Sequence, residues 1–389
     1  MNAPWRYFAG LVAGFFLVFG ATVAAFYLNL GVPSRLSSWA FQLAQKKRAL
    51  AAQASSPKLL IVGGSATLFG ISAKEIECET GYRSINLANH AALGPTYMLR
   101  EAQRAAKSGD TVLLAFEYEL YDFGKVERVG TDSLQVDYIV SRDPDFFRSL
   151  LPMEKWNVFM LTPNERLLQG LENRVWPEAP RDMGVYDVRY VNDWGDQTHH
   201  AEAERPAQRN SIAQKKSCLS SGLPKQPKAF ASIKSFCEWA QARQIRVLAT
   251  YPNLCDQPEY HLPTAMRTAK TIRDSFSALN VPVIGDYTDS LLPVEQFFDS
   301  HYHLTEEAAV ARTRRLIPQL MPFLFRCPCD NSTRTRARVV YRRTISDDPS
   351  TFGSFRSRQV SQLHARGRKR ENSTYAHKIE RHRTLMPLL

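Results

Sequence analysis

The sequence predicts an α/β fold with a mostly parallel sheet, arranged as a three-layer α/β/α sandwich and preceded by one transmembrane helix. Three observations lead there. Short, fully apolar, β-branched runs suit strands covered on both faces; helical patterns alternate with those runs between about residues 57 and 326; and the stretch from Tyr7 to Leu28 carries no charged residue. The chain accordingly divides into a membrane anchor and stalk over 1–56, an α/β domain over 57–326 with an insertion at about 122–226, and a basic tail over 327–389.

The 22 uncharged positions from Tyr7 to Leu28 are enough to cross a hydrocarbon core of about 30 Å as a helix. Small residues from Ala21 to Ala25 offer a signal-peptidase site, but the apolar run continues through Phe26, Tyr27 and Leu28, longer than a usual signal core. An uncleaved anchor in the lipid bilayer is therefore preferred. Arg6 precedes the run and Arg35, Lys46, Lys47 and Arg48 follow it, so the charge bias decides orientation only weakly. The segment from Leu36 to Ala54 is partly amphipathic and reads as a helical stalk.

Residues 58 to 70 read KLLIVGGSATLFG. Lys58 to Val62 is a central strand by its apolar run, and Gly63 and Gly64 allow a tight turn with close backbone approach. Ser65 then falls at the carboxyl end of that strand, where open α/β sheets bind ligands. Its hydroxyl can be a nucleophile, a cap for the next helix, or part of a phosphate-binding turn, although no GxxxxGK[ST] pattern follows. Ser72, with Glu75 three residues on, predicts a capping box. SINLAN at 84 to 89 is a second strand, Pro95 to Ala106 a helix, and TVLLAFEYEL from Thr111 a third strand. Residues 122 to 226 interrupt the rhythm, with helical patterns near Asp145 to Leu151 and Asn164 to Leu171. Beyond them come a helix in PKAFASIKSFCEWAQARQ, strands in IRVLATYP and VPVIGD, and a closing helix capped by Thr305 with two glutamates in its first turn.

Of the formal charge of +12, the residues after Asn331 supply most, with 12 Arg and 2 Lys against 2 Asp and 2 Glu. That tail lacks apolar periodicity and is expected to be disordered. No nucleic-acid module or aromatic interleaving accompanies it, and no nucleic-acid partner is expected. Six cysteines show neither CxxC pairs nor zinc spacing. A Cys218–Cys255 disulfide is one option for an exported body, and free buried thiols are the other.

A serine needs a base near neutral pH. FFDSHYHLTEEAA, just before the closing helix, holds Asp299, His301 and His303 within five positions. A carboxylate that fixes a histidine's tautomer, and a histidine that reaches a serine, are the parts of acyl transfer. The loop can also simply cap the helix. Zinc would need further ligands that the spacing does not offer, so no metal and no cofactor are expected. His199 and His200, in VNDWGDQTHH, read as surface residues.

A Gly-x-Ser turn after the first strand, paired with Asp and His before the last helix, resembles the SGNH (GDSL-like) hydrolase superfamily. Within it the chain is similar to the membrane-anchored bacterial branch of D-alanyl transfer and alginate or cell-wall O-acetylation proteins. The likeness covers about residues 57–326 and implies a flavodoxin-like sandwich. It implies Ser65 as nucleophile, His303 as base and Asp299 as its orienter, in an esterase or O-acyltransferase acting on an exported or cell-envelope glycan. The body would stand outside the bacterial cytoplasmic membrane, with an acylated glycan or an acyl-donor protein as partner. The alternative is a non-catalytic binding or assembly factor on the same fold. The family spaces its Asp and His three apart, whereas Asp299 and His303 are four apart, which keeps His301 in contention. Its glycine block is replaced by SINLANHAALGP, leaving Asn89, Ala91 and the backbone at Gly64 as candidate oxyanion or substrate contacts. Its asparagine block is replaced by Glu117.

Overall fold

The structure is a computed structural model that describes residues 3–121, 132–176, 183–201, 206–224 and 227–325. The tail 327–389, with its expected disorder, lies outside the described residues, as do Cys327 and Cys329.

In chain order the elements begin with helices α1 (Ala3–Asn29) and α2 (Ser38–Gln53), then strand β1 (Leu59–Gly63), α3 (Ser65–Leu68), α4 (Ala73–Thr80), β2 (Ser84–Asn86), α5 (Gly94–Ala105) and β3 (Thr111–Ala115). Within the 122–226 region come α6 (Ser133–Arg142), α7 (Pro144–Ser149), α8 (Pro152–Leu161), α9 (Asn164–Val175) and α10 (Pro206–Gln214). The chain then forms α11 (Phe230–Gln241), β4 (Arg246–Thr250), β5 (Leu254–Cys255), α12 (Pro263–Ser277), β6 (Val283–Ile284), β7 (Leu291–Leu292) and α13 (Glu306–Leu324).

Five strands form the main sheet in the order β2-β1-β3-β4-β6, and every pairing is parallel. Counted along the chain this is the 2-1-3-4-5 order of doubly wound sheets, whose ligand crevice opens at the carboxyl ends of the first and third strands. Period-two alternation sends the two faces of the sheet to different helices. Leu60, Val62, Val112 and Leu114 join Met98 of α5, Phe236 of α11 and Ile272 of α12; Leu59, Ile61 and Leu113 join Ile76 of α4 and Leu316 and Leu320 of α13. The amino ends of β1 and β3 are locked by a fully buried pair, Lys58 Nζ to Asp110 Oδ2 at 2.7 Å. The other Asp110 oxygen accepts the Lys58 amide, so the buried charges are also hydrogen-bonded.

Several expectations change. α2 is not a stalk. Its Ala40, Leu43, Ala44, Lys47 and Ala51 are buried, and Ala51 belongs to the main core. The second strand ends at Asn86, and the third at Ala115, where the backbone turns into a short 3-10 segment at Tyr118–Leu120. Ser72 caps α4 by accepting the Glu75 amide at 3.1 Å, but the reciprocal half of the box is absent: Glu75 pairs with Arg314, and the Ser72 amide goes to Thr313. Helix α12 lies where the sequence reading placed no element. Cys218 and Cys255 are not joined to one another.

Helices α6 to α9 form a collar around the end of α1. Asn29, fully buried, donates to the Leu167 carbonyl at 2.9 Å and accepts from Arg166 at 3.1 Å. Arg166 also meets Asp137 at 2.6 Å, and Asp137 in turn accepts the Ser37 amide, which ties down the turn between α1 and α2. A Cβ on Gly170 would collide with Asn29, so glycine is what lets α9 cross the end of α1 this closely.

Candidate active site

The carboxyl rim at β1 and β3 gathers residues from several separate segments. After β1, Gly64 takes the chain into α3, and Ser65 stands at its first helical position. After β3, Glu117 turns back toward it and is buried almost completely. Its carboxylate accepts the Ala66 amide at 2.8 Å, the Gly64 amide at 3.2 Å and the Ser65 hydroxyl at 3.4 Å. A Cβ on Gly64 would strike both Glu117 oxygens, so the close approach requires that glycine. Burial is the largest influence on Glu117 and raises its pKa to about 7, against the hydrogen bond from Ala66 and the charge of His303, which lower it.

Asp299 and His303 come from a loop closed by a Phe297–Leu304 antiparallel bridge and by the Phe298 amide on the His303 carbonyl at 2.8 Å. That tight reversal sets side chains four positions apart beside each other. His303 Nδ1 meets Asp299 Oδ1 at 2.6 Å, and Tyr186 donates to Asp299 Oδ2 at 3.0 Å. Burial alone would raise the Asp299 pKa, but the hydrogen bond and charge of His303, with the Tyr186 hydroxyl, bring it below the usual carboxylate range. Phe69 lies against the imidazole with ring centroids 4.7 Å apart. With Nδ1 on the carboxylate, Nε2 has no hydrogen-bond partner among the described residues.

His301 faces elsewhere. Its ring lies tilted against Tyr302 with centroids 4.5 Å apart, and burial brings its pKa down to about 4 against the nearby Glu119 charge. Glu119 itself is occupied by Ser217, the Cys218 amide and Tyr302. The carboxylate-oriented histidine of this loop is thus His303. No hydrogen bond joins Ser65 to either histidine among the described residues; the serine hydroxyl is held by Glu117. Ser65 and His303 are 9% and 8% exposed, so each shows solvent only an edge.

The other sequence candidates occupy the same rim in different roles. Asn89 donates to the Ala40 carbonyl of α2 at 2.9 Å and accepts the His90 amide, so its side chain is committed to structure. Ala91 opens a short 3-10 turn, and neither its amide nor that of Ser65 has an acceptor among the described residues. His200 is buried rather than on the surface, with its two nitrogens facing the Leu304 and Gln197 carbonyls.

The sequence reading did not find the aromatic wall. Tyr186, from the 122–226 region, packs against Phe69 at 5.2 Å and Trp39 at 5.7 Å, and Trp39 meets His90 at 5.4 Å. Burial and the His303 charge take the His90 pKa down to about 4. Farther along α2, Lys47 is buried and donates to the Ala88 carbonyl at 2.5 Å; burial lowers its pKa to about 7, opposed by Asp196. No local pattern marks Tyr186 or Trp39, since each acts only through a neighbour distant in sequence.

A hollow of about 430 Å³ near Cys237, Ile245 and Pro282 lies at the amino ends of β4 and β6, the end of the sheet opposite to the Ser65 rim. Among the described residues no group of three or more His, Cys, Asp or Glu side chains is placed to hold a metal ion. No protein-family model matches the chain, and no curated protein matches it.

Proposed function

We propose that the chain is a membrane-anchored, SGNH-like esterase or O-acyltransferase, built on a three-layer sandwich and acting on an exported or cell-envelope glycan at the bacterial cytoplasmic membrane. The observation that carries this reading is the Asp299–His303 pair at 2.6 Å, beside the switch point of the sheet where Ser65 stands. Helix α1, long and apolar enough over Trp5–Asn29 to cross a membrane, supports the anchor.

In the proposed reaction the Ser65 oxygen attacks the ester carbonyl while His303 Nε2 takes its proton. The charge on the carbonyl oxygen is met by the Ser65 and Ala91 amides. The imidazolium, steadied by Asp299, returns the proton to the departing alcohol. Water or a glycan hydroxyl then releases the acyl group from Ser65 by the same steps in reverse. Glu117 must let go of the serine hydroxyl first, and its raised pKa favours that near neutral pH, because a neutral carboxyl is a poorer acceptor than a carboxylate.

One observation favours the second reading, a non-catalytic binding or assembly factor. Glu117 fills the Gly64 and Ala66 amides with an internal carboxylate and takes the Ser65 hydroxyl as well. A fluorophosphonate probe on the full chain separates the two. Labelling of wild type that disappears in Ser65→Ala and weakens in His303→Ala supports the enzyme. Labelling that persists in Ser65→Ala removes this nucleophile, and an unlabelled wild type points to the assembly factor.

A further inference from the structure

The exposed side of α8 is apolar in a way that the soluble body does not explain. Met153, Trp156 and Met160 repeat at helical spacing on one stripe, and with Leu151 and Leu161 at the helix ends they are between 48% and 69% exposed. The opposite side is apolar too, for Val158 is fully buried in the cluster that holds Phe26 of α1. A helix with both sides apolar needs a second nonaqueous neighbour.

Its placement against α1 identifies that neighbour. Trp156 and Phe159 both pack on Phe19, with ring centroids 6.5 and 6.1 Å apart, and Phe159 also meets Phe26 at 5.3 Å. Phe19 lies ten residues before the buried end of α1 at Asn29, so α8 descends about 15 Å along the apolar helix at 1.5 Å per residue. The exposed stripe is therefore continuous with the exposed apolar surface of α1 at a level inside its membrane-crossing segment. At ten residues α8 is too short to cross a bilayer itself. Its exposed tryptophan, methionines and leucines are side chains that a lipid neighbour accepts.

We propose that α8 is a membrane-seated helix that lays the Met153–Trp156–Met160 stripe into the lipid beside α1, giving the body a second attachment. This rests on the reading of α1 as a membrane span. Both helices leave the lipid at the collar, where Asn29, Arg166 and Asp137 are joined.

Intrinsic fluorescence of the full chain in phosphatidylcholine vesicles tests the two readings separately, using lipid brominated near the headgroup end of its acyl chains and aqueous iodide as quenchers. The difference between wild type and Trp156→Phe isolates Trp156, and that between wild type and Trp5→Phe isolates Trp5 of α1. Trp156 quenched by bromolipid to within about twofold of Trp5, and shielded from iodide, is the expected result. Trp156 quenched by iodide alone while Trp5 responds to bromolipid overturns the seated helix and leaves the anchor standing. Trp156 reached by neither quencher, with Trp5 still reached by bromolipid, overturns it in favour of a protein covering, such as a second copy. Trp5 unquenched by bromolipid removes the membrane span, and the proposal with it. Should Trp156→Phe lower the unfolding midpoint, Met160→Trp supplies the reporter on the same stripe.

Discussion

Asp299 and Tyr186 do different work on the same imidazole. On the acyl-transfer proposal Asp299 fixes the tautomer that leaves Nε2 open, so Asp299→Asn should slow fluorophosphonate labelling by roughly 10³- to 10⁴-fold, as loss of a triad carboxylate does elsewhere. Tyr186→Phe removes the hydrogen bond to the charged Asp299 oxygen, worth about 1.5 to 3 kcal/mol, together with a longer contact to His303 Nδ1 at 3.3 Å, and should cost no more than about 10- to 100-fold. Equal losses in the two variants would place Tyr186 at the reacting atoms instead of behind them. Glu117 offers a readout independent of activity. Its folded pKa of about 7 lies above the ordinary 4.5, so the native state keeps a proton that the unfolded chain has lost between those values. Stability should therefore fall as pH rises from about 4.5 to 7, by on the order of 3 kcal/mol, and level off above. Denaturant midpoints followed across that range should show the fall in wild type and lose most of it in Glu117→Gln. A wild type without the fall would mean that the carboxylate is solvated.

At the scale of elements, strands and caps were the legible part, because β1, β3 and β4 are apolar on successive positions and Thr305 and Ser72 cap as their residue types require. Helix α12 is hard to read from the sequence although Ala265, Ala269, Ile272 and Phe276 follow a helical period, since small and polar residues dilute the stripe. The burial of α2 was not legible for a related reason: its inner face is mostly alanine with one lysine, and only tertiary contact reveals that Lys47 points inward. The collar was beyond reach altogether, because Arg166 and Asp137 read as ordinary surface charges until the fold joins them to the α1–α2 turn. Breaking such a buried pair from one side strands a charge, so Arg166→Ala should destabilise by about 3 to 5 kcal/mol. The double variant Arg166→Met with Asp137→Leu should recover part of that loss, and chemical denaturation of both variants checks it.

At the scale of the whole molecule, the rim follows from the sheet order, whose direction reverses between β1 and β3. Ser65 and the Asp299–His303 loop were legible because each sits beside a strong local signal, a glycine turn and a helix cap. The contact of Ser65 with Glu117 in place of histidine was not, since nothing in AFEYE says which way the carboxylate turns. No apolar pattern continues past Asp330, so truncation there should leave the unfolding midpoint within about 1 °C of the full chain, which for a body of this size corresponds to less than about 1 kcal/mol. A larger drop would show that the basic tail packs on the body.

Trp39 lines the candidate site from the first turn of α2, only ten positions beyond the end of α1, and the turn between them is bonded down at both ends. With α1 in a bilayer, the rim that holds the candidate site has no tether on which to swing outward. On the acyl-transfer proposal, whatever carries the acyl group would have to deliver it at one set height above the lipid, and lengthening the 30–37 segment would change which carriers can reach it.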